Sequence, residues 1–277
     1  LTHITATWAD ARRSMKKTTE HLNTYGFGFD LRFITRSLIA IITERAQWDV
    51  IHQTDLDNLQ SGWKRLEIIF DYLVKYLPDS ALIHSTDDLN SPNALVPLIA
   101  YLSKNNGTFR TDAQRRMSVH WLHNALMWGR FDAQVNQRLE EDLGIIRKNP
   151  ESPWPLLCDR ILDQRGRLEV KANDISEEGR NSRFYKTTYM VFKGKNARDW
   201  FNGLPLCNTD GTGYKIHSHH IFPKAYLNNA GWDERDATQR KLINEIANRA
   251  FLTGPTNLEL AATAPNEYLP QVKEQYP

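Results

Sequence analysis

The residues best suited to chemistry are two adjacent histidines, His219 and His220, which are followed by Ile-Phe-Pro. His217 lies two residues before them, and Asn248 and Asn257 follow later in the chain. Imidazole nitrogens and amide oxygens are ligands for divalent cations, and a neutral imidazole is also a general base near neutral pH. This group of residues therefore predicts a compact metal site with a base beside it.

Such a set suits the hydrolysis of a phosphodiester bond, which needs an activated water and stabilised negative charge. We expect His220 to be the base, and His219 and Asn257 to hold a metal that stabilises the departing 3′ oxygen. Asn248 is expected to brace the loop that orients His220, because a hydrogen bond to one imidazole nitrogen selects the tautomer. His217 is either a third ligand or, as its position on a strand favours, a residue beside the site.

The elements that must position these residues follow the order strand, loop, strand, helix. The alternating segment 214–217 predicts the entry to a first strand, and the apolar segment 250–253 predicts a second. Thr256 is expected to cap a short helix over residues 257–263. This order resembles the ββα-metal arrangement of His-Me finger, or HNH, nucleases.

The remainder of the chain predicts a mainly α protein. Apolar residues recur at helical spacing through the first part of the sequence. We expect a helical domain over residues 1–167, a polar linker over 168–183 and a small α+β domain with a ββα-metal site over 184–277. The Trp-rich helices are expected to form a packed core without catalytic residues.

Local signals predict where several helices begin and end. Pro78 is expected to end a long helix, because proline lacks an N–H and clashes with the preceding turn. Thr111 and Gln114 have the spacing of a capping box, and Asp132 is expected to cap the next helix.

Composition limits the classes of protein to consider. The chain has 277 residues, of which 40% are hydrophobic and 25% charged, which is typical of globular proteins. Its two cysteines form no CxxC pair, which excludes a disulfide framework and a four-cysteine zinc site and favours a reducing, cytoplasmic setting. No apolar run has the length of a membrane span, so no membrane association is expected.

Positive charge is concentrated just before the histidine motif. Six Lys or Arg and no acidic residue lie between Arg180 and Arg198, interleaved with aromatic residues. This segment either follows a DNA backbone, where cations neutralise phosphates, or forms a solvated helix face. The candidates for nucleic-acid contact are Lys193, Lys195, Lys215, Lys224 and Arg249.

Beyond these spacings, the sequence resembles the C-terminal nuclease part of GmrSD-type restriction proteins and of the related SspE-like proteins. The similar segments are His219–Lys224, Ile246–Asn248, Thr256–Asn257 and Pro265–Leu269, with Asp199, Trp200 and Gly203 before them. A weaker similarity covers Leu95–Leu102 and Gly129–Asp142. The resemblance therefore covers most of the chain and is most specific in its last 80 or so residues.

The resemblance implies a metal-dependent DNA endonuclease or nickase that defends bacteria against phage, acting on phage or modified DNA. It also implies an N-terminal nucleotide-hydrolysing sensor domain, whose motifs this sequence lacks, so we expect the chain to be a fragment. Mg²⁺ is the expected cofactor. His219 stands where the wider group often has Asp, and because imidazole is a softer ligand than carboxylate, Mn²⁺ or Ni²⁺ could serve as well. Asn248-Arg249-Ala250 departs from the usual Asn-Leu-Thr. The alternatives are a catalytically inactive DNA- or partner-binding module and an RNA nuclease of the same fold.

Overall fold

The computed structural model describes residues 2–207 and 213–276, and this part of the chain is mainly helical with one two-stranded antiparallel sheet. The predicted fold class is confirmed at this level. The chain falls into two compact units, Leu1–Leu168 and Glu169–Pro277. Within the described ranges, no helix combines the length and apolarity needed to cross a bilayer.

Residues 2–168 of the first unit contain eight α-helices joined by short connections and 3₁₀ turns. The helices are α1 (Thr2–Thr7), α2 (Ala11–Asn23), α3 (Leu31–Thr43), α4 (Leu56–Ala81), α5 (Leu95–Lys104), α6 (Asp112–Met127), α7 (Val135–Lys148) and α8 (Trp154–Arg165). The 3₁₀ turns are Asp49–Gln53, Thr86–Asp88 and Pro92–Ala94.

The core of this unit lies around α5, whose residues Leu95–Leu102 are all buried. A helix that is apolar on every side must be surrounded by other elements, and α5 packs against α3, α4 and α7. Two fully buried indoles, Trp121 of α6 and Trp154 of α8, pack on each other with ring centroids 5.6 Å apart. The tryptophans therefore serve packing, as the sequence predicts.

The observed helix boundaries can be compared with those that the local sequence signals predict. Thr111 caps α6 by accepting the Gln114 N–H, so the N-cap is confirmed. The reciprocal half of the capping box is not formed, since Oε1 of Gln114 has no hydrogen-bond partner among the described residues. The prediction for Pro78 is wrong: α4 continues through it to Ala81, and this last turn is packed in the core, where Ala81 is completely buried. The prediction for Asp132 is also wrong, since α7 begins later and its N-cap residue is Gln134, with a left-handed backbone and no side-chain cap.

The second unit contains a small sheet and further helices. Its elements are α9 (Ala172–Ile175), α10 (Arg183–Gly194), β1 (Ile216–His220), α11 (Lys224–Asn229), α12 (Ala237–Asn244), β2 (Arg249–Thr253), α13 (Gly254–Leu260) and α14 (Pro265–Gln275), with a 3₁₀ turn at Ile246–Asn248. The segment 168–183, expected to be a linker, carries structure of its own. It contains α9, and the Glu178 carbonyl accepts the Ile246 N–H at 2.7 Å. These contacts tie the segment to the second unit.

The strands β1 and β2 pair antiparallel, with His217 opposite Leu252 and His219 opposite Ala250. Because side chains alternate along a strand, these four residues share one face of the sheet. Leu252 and the buried residues Leu260 and Tyr268 form the core under that face. The opposite face carries Phe251, which packs against Tyr185, Tyr189 and Phe192 of α10.

Candidate functional site

The junction between β2 and α13 is fixed by a buried carboxylate. Asp199 accepts hydrogen bonds from the Thr253 N–H at 2.8 Å, the Thr253 hydroxyl at 2.9 Å and the Thr256 hydroxyl at 2.7 Å. The helix therefore begins at Gly254, and the prediction that Thr256 caps a helix starting at Asn257 is wrong. Asp199 takes the capping role from a distant part of the sequence.

This junction brings His219 and Asn257 together. Nδ1 of His219 lies 3.1 Å from Oδ1 of Asn257, and His219 is 3% exposed. Burial lowers the pKa of His219, so its imidazole is neutral at neutral pH. Its other nitrogen, Nε2, is buried and has no hydrogen-bond partner among the described residues. Nδ1 is thus the nitrogen of His219 that faces Asn257.

The pair has the chemistry and spacing to hold a divalent cation. Two ligands at about 2.1 Å from an octahedral ion, at right angles, lie about 3.0 Å apart, close to the 3.1 Å between Nδ1 and Oδ1. A nitrogen and an oxygen donor suit Mn²⁺, Ni²⁺ and Mg²⁺. Within residues 2–207 and 213–276, no group of three His, Cys, Asp or Glu side chains could hold a metal. The candidate pair includes an amide, which is outside that set.

His217 contacts the same asparagine. Its Nδ1 lies 3.4 Å from Nδ2 of Asn257, so the amide faces one histidine with each of its polar atoms. The imidazole also lies close to Gly254, where an added Cβ would come within 3.4 Å of Nε2 of His217. His217 therefore lies beside the candidate pair and orients Asn257.

His220 has a different set of partners. Its Nε2 lies 3.2 Å from Oδ1 of Asn244, whose Nδ2 donates to the Arg240 carbonyl at 2.8 Å. Since an amide oxygen only accepts, Nε2 of His220 is inferred to carry the proton, which leaves Nδ1 as the basic atom. Burial and the nearby charge of Arg249 lower the pKa of His220 to about 4. The imidazole is thus neutral and available as a base at pH 7.

Asn248 braces the loop that follows β1. Its Oδ1 accepts the Phe222 N–H at 2.7 Å, and its Nδ2 donates to the carbonyls of Phe222 at 3.1 Å and Ile243 at 2.8 Å. The Asn248 carbonyl also accepts the Ile221 N–H at 3.0 Å. These bonds hold the backbone just after His220, so Asn248 acts on the histidine through the loop. Among the described residues, the hydrogen bond to the imidazole comes from Asn244 instead.

The two adjacent histidines use opposite faces of β1. His219 contacts Asn257 of α13, whereas His220 contacts Asn244 of α12 and lies opposite Arg249 in the sheet. No hydrogen bond in the described part of the chain joins His220 to the His219–Asn257 pair. A substrate that engages both histidines must therefore lie across the end of β1, where the chain turns into the loop.

The candidate cations for nucleic-acid contact divide by exposure. Lys215 and Lys195 are exposed. Lys224 donates to Glu234 at 2.7 Å, so a phosphate would compete with that carboxylate. Lys193 is 4% exposed, and its ammonium lies 4.4 Å from the ring centroid of Tyr189. The prediction for Lys193 is wrong, because a buried ammonium cannot reach a DNA backbone.

Arg249 forms hydrogen bonds within the candidate site. It donates to the Ser218 hydroxyl at 3.1 Å and to Oδ1 of Asn244 at 3.1 Å, and burial lowers its pKa. Both bonds lie on the face of His220. Its charge therefore acts on that imidazole and on Asn244, and the expected phosphate contact would require these bonds to break.

The sequence matches no profile of a known protein family, and no curated protein is significantly similar to it. The resemblance to restriction nucleases therefore rests on the motif residues alone. The function has to be argued from the site.

Proposed function

We propose that Glu169–Pro277 is a metal-dependent phosphodiesterase of the ββα-metal type and that its substrate is DNA. The observation that supports this most is the approach of His219 and Asn257 to 3.1 Å, next to a His220 imidazole whose tautomer is held by Asn244. A ligand pair and a neutral base at the end of one strand are the two parts that phosphodiester hydrolysis needs.

His220 is the general base in this proposal. With Nε2 donating to Asn244, Nδ1 accepts the proton of the attacking water. Burial and Arg249 keep the imidazole neutral at pH 7, so the base is ready without prior loss of a proton. Asn248 holds the backbone of the following loop and thereby keeps the ring at the strand end.

His219 and Asn257 are the residues that would hold a divalent cation, with His217 orienting the amide. When bound, the cation would neutralise the negative charge on the departing 3′ oxygen. We expect Mg²⁺ in the cell, and Mn²⁺ or Ni²⁺ to support activity too, because imidazole is a softer ligand than carboxylate.

The resemblance to GmrSD-type proteins carries the proposal one step further, to an endonuclease or nickase effector of defence against phage. In that setting a nucleotide-hydrolysing sensor domain would control cleavage of phage or modified DNA. One ββα site cuts one strand at a time, so nicks should precede double-strand breaks.

Plasmid cleavage tests the proposal with three proteins: wild type, His220→Ala and, as a matched control, His120→Ala. His120 is exposed on α6 of the first unit. With Mn²⁺, we expect nicked product from wild type and His120→Ala but none from His220→Ala. DNA binding should persist in all three, because His220 supplies a base and no phosphate contact.

Cleavage by His220→Ala at the wild-type rate, or cleavage in excess chelator, would contradict the mechanism. Wild-type protein that binds DNA in Mn²⁺ without cutting it would favour the inactive binding module. A matched RNA substrate that is cut while DNA stays intact would favour the RNA nuclease.

A further inference from the structure

The first unit contains a cleft that the proposed nuclease site does not use. Its volume is about 700 Å³, within the range of small-molecule sites. It lies between the start of α3, the 3₁₀ turn Pro92–Ala94 and the start of α7. The residues that line it and matter here are Phe33, Arg32, Arg36, Asn93, Gln134 and Asn136.

Arg36 is a buried cation that forms no ion pair within the described part of the chain. It is 6% exposed and donates from Nη1 to Oδ1 of Asn93 and from Nη2 to Oδ1 of Asn136, the latter at 2.9 Å. Its guanidinium also lies 5.6 Å from the ring centroid of Trp48. No carboxylate in residues 2–207 and 213–276 forms an ion pair with it. A buried charge is costly unless it is paired, and amide oxygens offset this only in part.

The charges around Arg36 add to the imbalance. Arg32, one turn earlier on α3, is exposed in the same cleft, and both burial and Arg32 lower the pKa of Arg36. Asp30 acts in the opposite direction, but its Oδ1 already accepts the Phe33 N–H at 2.7 Å as the N-cap of α3. Two guanidinium groups, those of Arg32 and Arg36, thus line the cleft. The carboxylate that lies with them, Asp30, already caps α3.

The amino terminus of α7 adds positive potential to the same place. Gln134, its N-cap residue, has a φ of 52° and makes no side-chain cap, and the first turn has no acidic residue. The first N–H groups of an α-helix have no partner within the helix, and the N-cap residue of α7 supplies none through its side chain. Arg36 bonds to Asn136, so a guanidinium stands at the positive end of a helix, where an anion is the favoured partner.

We propose that this cleft binds a phosphate ester of about nucleotide size, with its phosphate between Arg32, Arg36 and the first turn of α7. The planar guanidinium fork of Arg32 and the uncapped N–H groups of α7 match phosphate oxygens, and Arg36 adds its buried charge. The exposed amide of Gln134, with the ring of Phe33, offers hydrogen bonds and an apolar surface to the organic part. The proposal concerns the first unit and does not depend on the nuclease.

Calorimetric titration of the full chain tests the site with ribose 5-phosphate, 5′-AMP and 5′-GMP, and with the phosphate-free nucleosides adenosine and guanosine. A 5′-phosphorylated single-stranded oligonucleotide forms a further arm. We expect the phosphate esters to bind at least about tenfold more tightly than the nucleosides, because only the esters form charge-assisted hydrogen bonds with the guanidinium groups. The oligonucleotide arm tells whether the phosphate is recognised free or at a strand end.

Arg32→Gln should weaken the phosphate esters about tenfold, since Arg32 is exposed and its replacement leaves the core unchanged. Arg12→Gln, at an exposed arginine of α2 outside the cleft, is the matched control and should bind as wild type does. Arg36→Gln should abolish binding, with circular dichroism to check folding. Equal affinity for esters and nucleosides, no binding of any ester at millimolar concentration, or unchanged binding by Arg32→Gln would each overturn the proposal.

Discussion

Nδ1 of His219 and Oδ1 of Asn257 lie 3.1 Å apart although 37 residues separate them in the chain. The contact exists because α13 follows β2 without a connecting loop and Asp199 fixes the joint. Without a metal, the contact is a hydrogen bond that aligns both groups. A cation would replace that hydrogen bond with two coordinate bonds, which requires the imidazole proton to move from Nδ1 to Nε2, while the side chains stay near their places.

Metal affinity should therefore depend on both members of the pair. His219→Ala and Asn257→Ala are each expected to weaken Mn²⁺ binding by at least about tenfold to a hundredfold, as loss of a metal-site group does. His219→Asp should retain binding, because carboxylate is a good ligand for this ion. Calorimetric titration with MnCl₂ measures this independently of cleavage, with His120→Ala as the control.

Two results would count against the assignment. If His219→Ala bound Mn²⁺ as wild type does, the ion would be held elsewhere. If wild type bound no Mn²⁺ at millimolar concentration, the pair would be a structural hydrogen bond only.

The pH dependence of cleavage should report the unusual pKa of His220. The base must be neutral, and its pKa is lowered from 6.5 to about 4, so the rate should fall only as the pH drops towards about 4. An unperturbed histidine would already lose most of its neutral form at pH 5.5. Profiles of kcat/KM at saturating Mn²⁺ between pH 4.5 and 8 separate the two cases, because the rate should stay nearly constant across this range if the pKa is about 4.

Substitution of Arg249 serves as a control for that pH profile, because the direction of its effect on the pKa of His220 is known. Its positive charge lowers the pKa of His220, so Arg249→Gln should raise that pKa and move the acid limb towards neutral pH. Asn244→Asp should move it the same way, because a carboxylate at Nε2 favours the imidazolium. A wild-type limb near pH 6.5, or a shift to lower pH in Arg249→Gln, is incompatible with His220 as the base.

Two lysines near the end of α10 should behave differently. Lys195 is exposed, so Lys195→Gln should reduce the slope of log affinity for DNA against log salt by about 0.9 if it contacts one phosphate. Lys193 is buried on Tyr189, so Lys193→Gln should leave that slope unchanged and destabilise the unit by about 1 kcal/mol. Binding titrations at several salt concentrations and urea unfolding separate the two effects. The reverse pattern would contradict the assignment by burial.

These residues also show how far the sequence predicts the site. The motif histidines, Asn248 and Asn257 are recognised from spacing, because a strand, a turn and a helix have fixed local geometry. Asn244 carries no such signal: it orients His220 only because α12 packs near the end of β1. The sequence contains the asparagine, but its partner depends on tertiary packing.

Burial and helix ends were the weakest predictions for a related reason. Lys193 belongs to a basic, aromatic segment, and only the packing of the aromatic residues on Phe251 decides that this lysine faces inward. Asp132 has the residue type of an N-cap, yet α7 starts after Gln134 and leaves its first turn open. Residue type gives a local preference, and contacts distant in sequence override it.

Asp199 offers the sharpest test of the joint that holds the site. Its Oδ1 accepts from the Thr256 hydroxyl and from the N–H groups of Phe201 and Asn202, and its Oδ2 accepts from Thr253. Asp199→Asn replaces one oxygen by an amide NH₂ that faces donors, so we expect a loss of about 2–3 kcal/mol.

The matched control for that substitution is Asp236→Asn. Asp236 caps α12 at the surface by accepting the Gln239 N–H, and asparagine caps a helix equally well. Burial alone would raise the pKa of Asp199, but the hydrogen bonds that it accepts together outweigh this and lower it. Its carboxylate therefore stabilises the fold above the unfolded pKa of about 3.9, and this stabilisation is lost as the pH falls from there through the folded pKa. In urea unfolding, the difference in the free energy of unfolding between wild type and Asp199→Asn should therefore be largest at pH 7 and smaller at pH 3. Equal stability of the two Asn variants at pH 7 would show that Asp199 does not hold the joint.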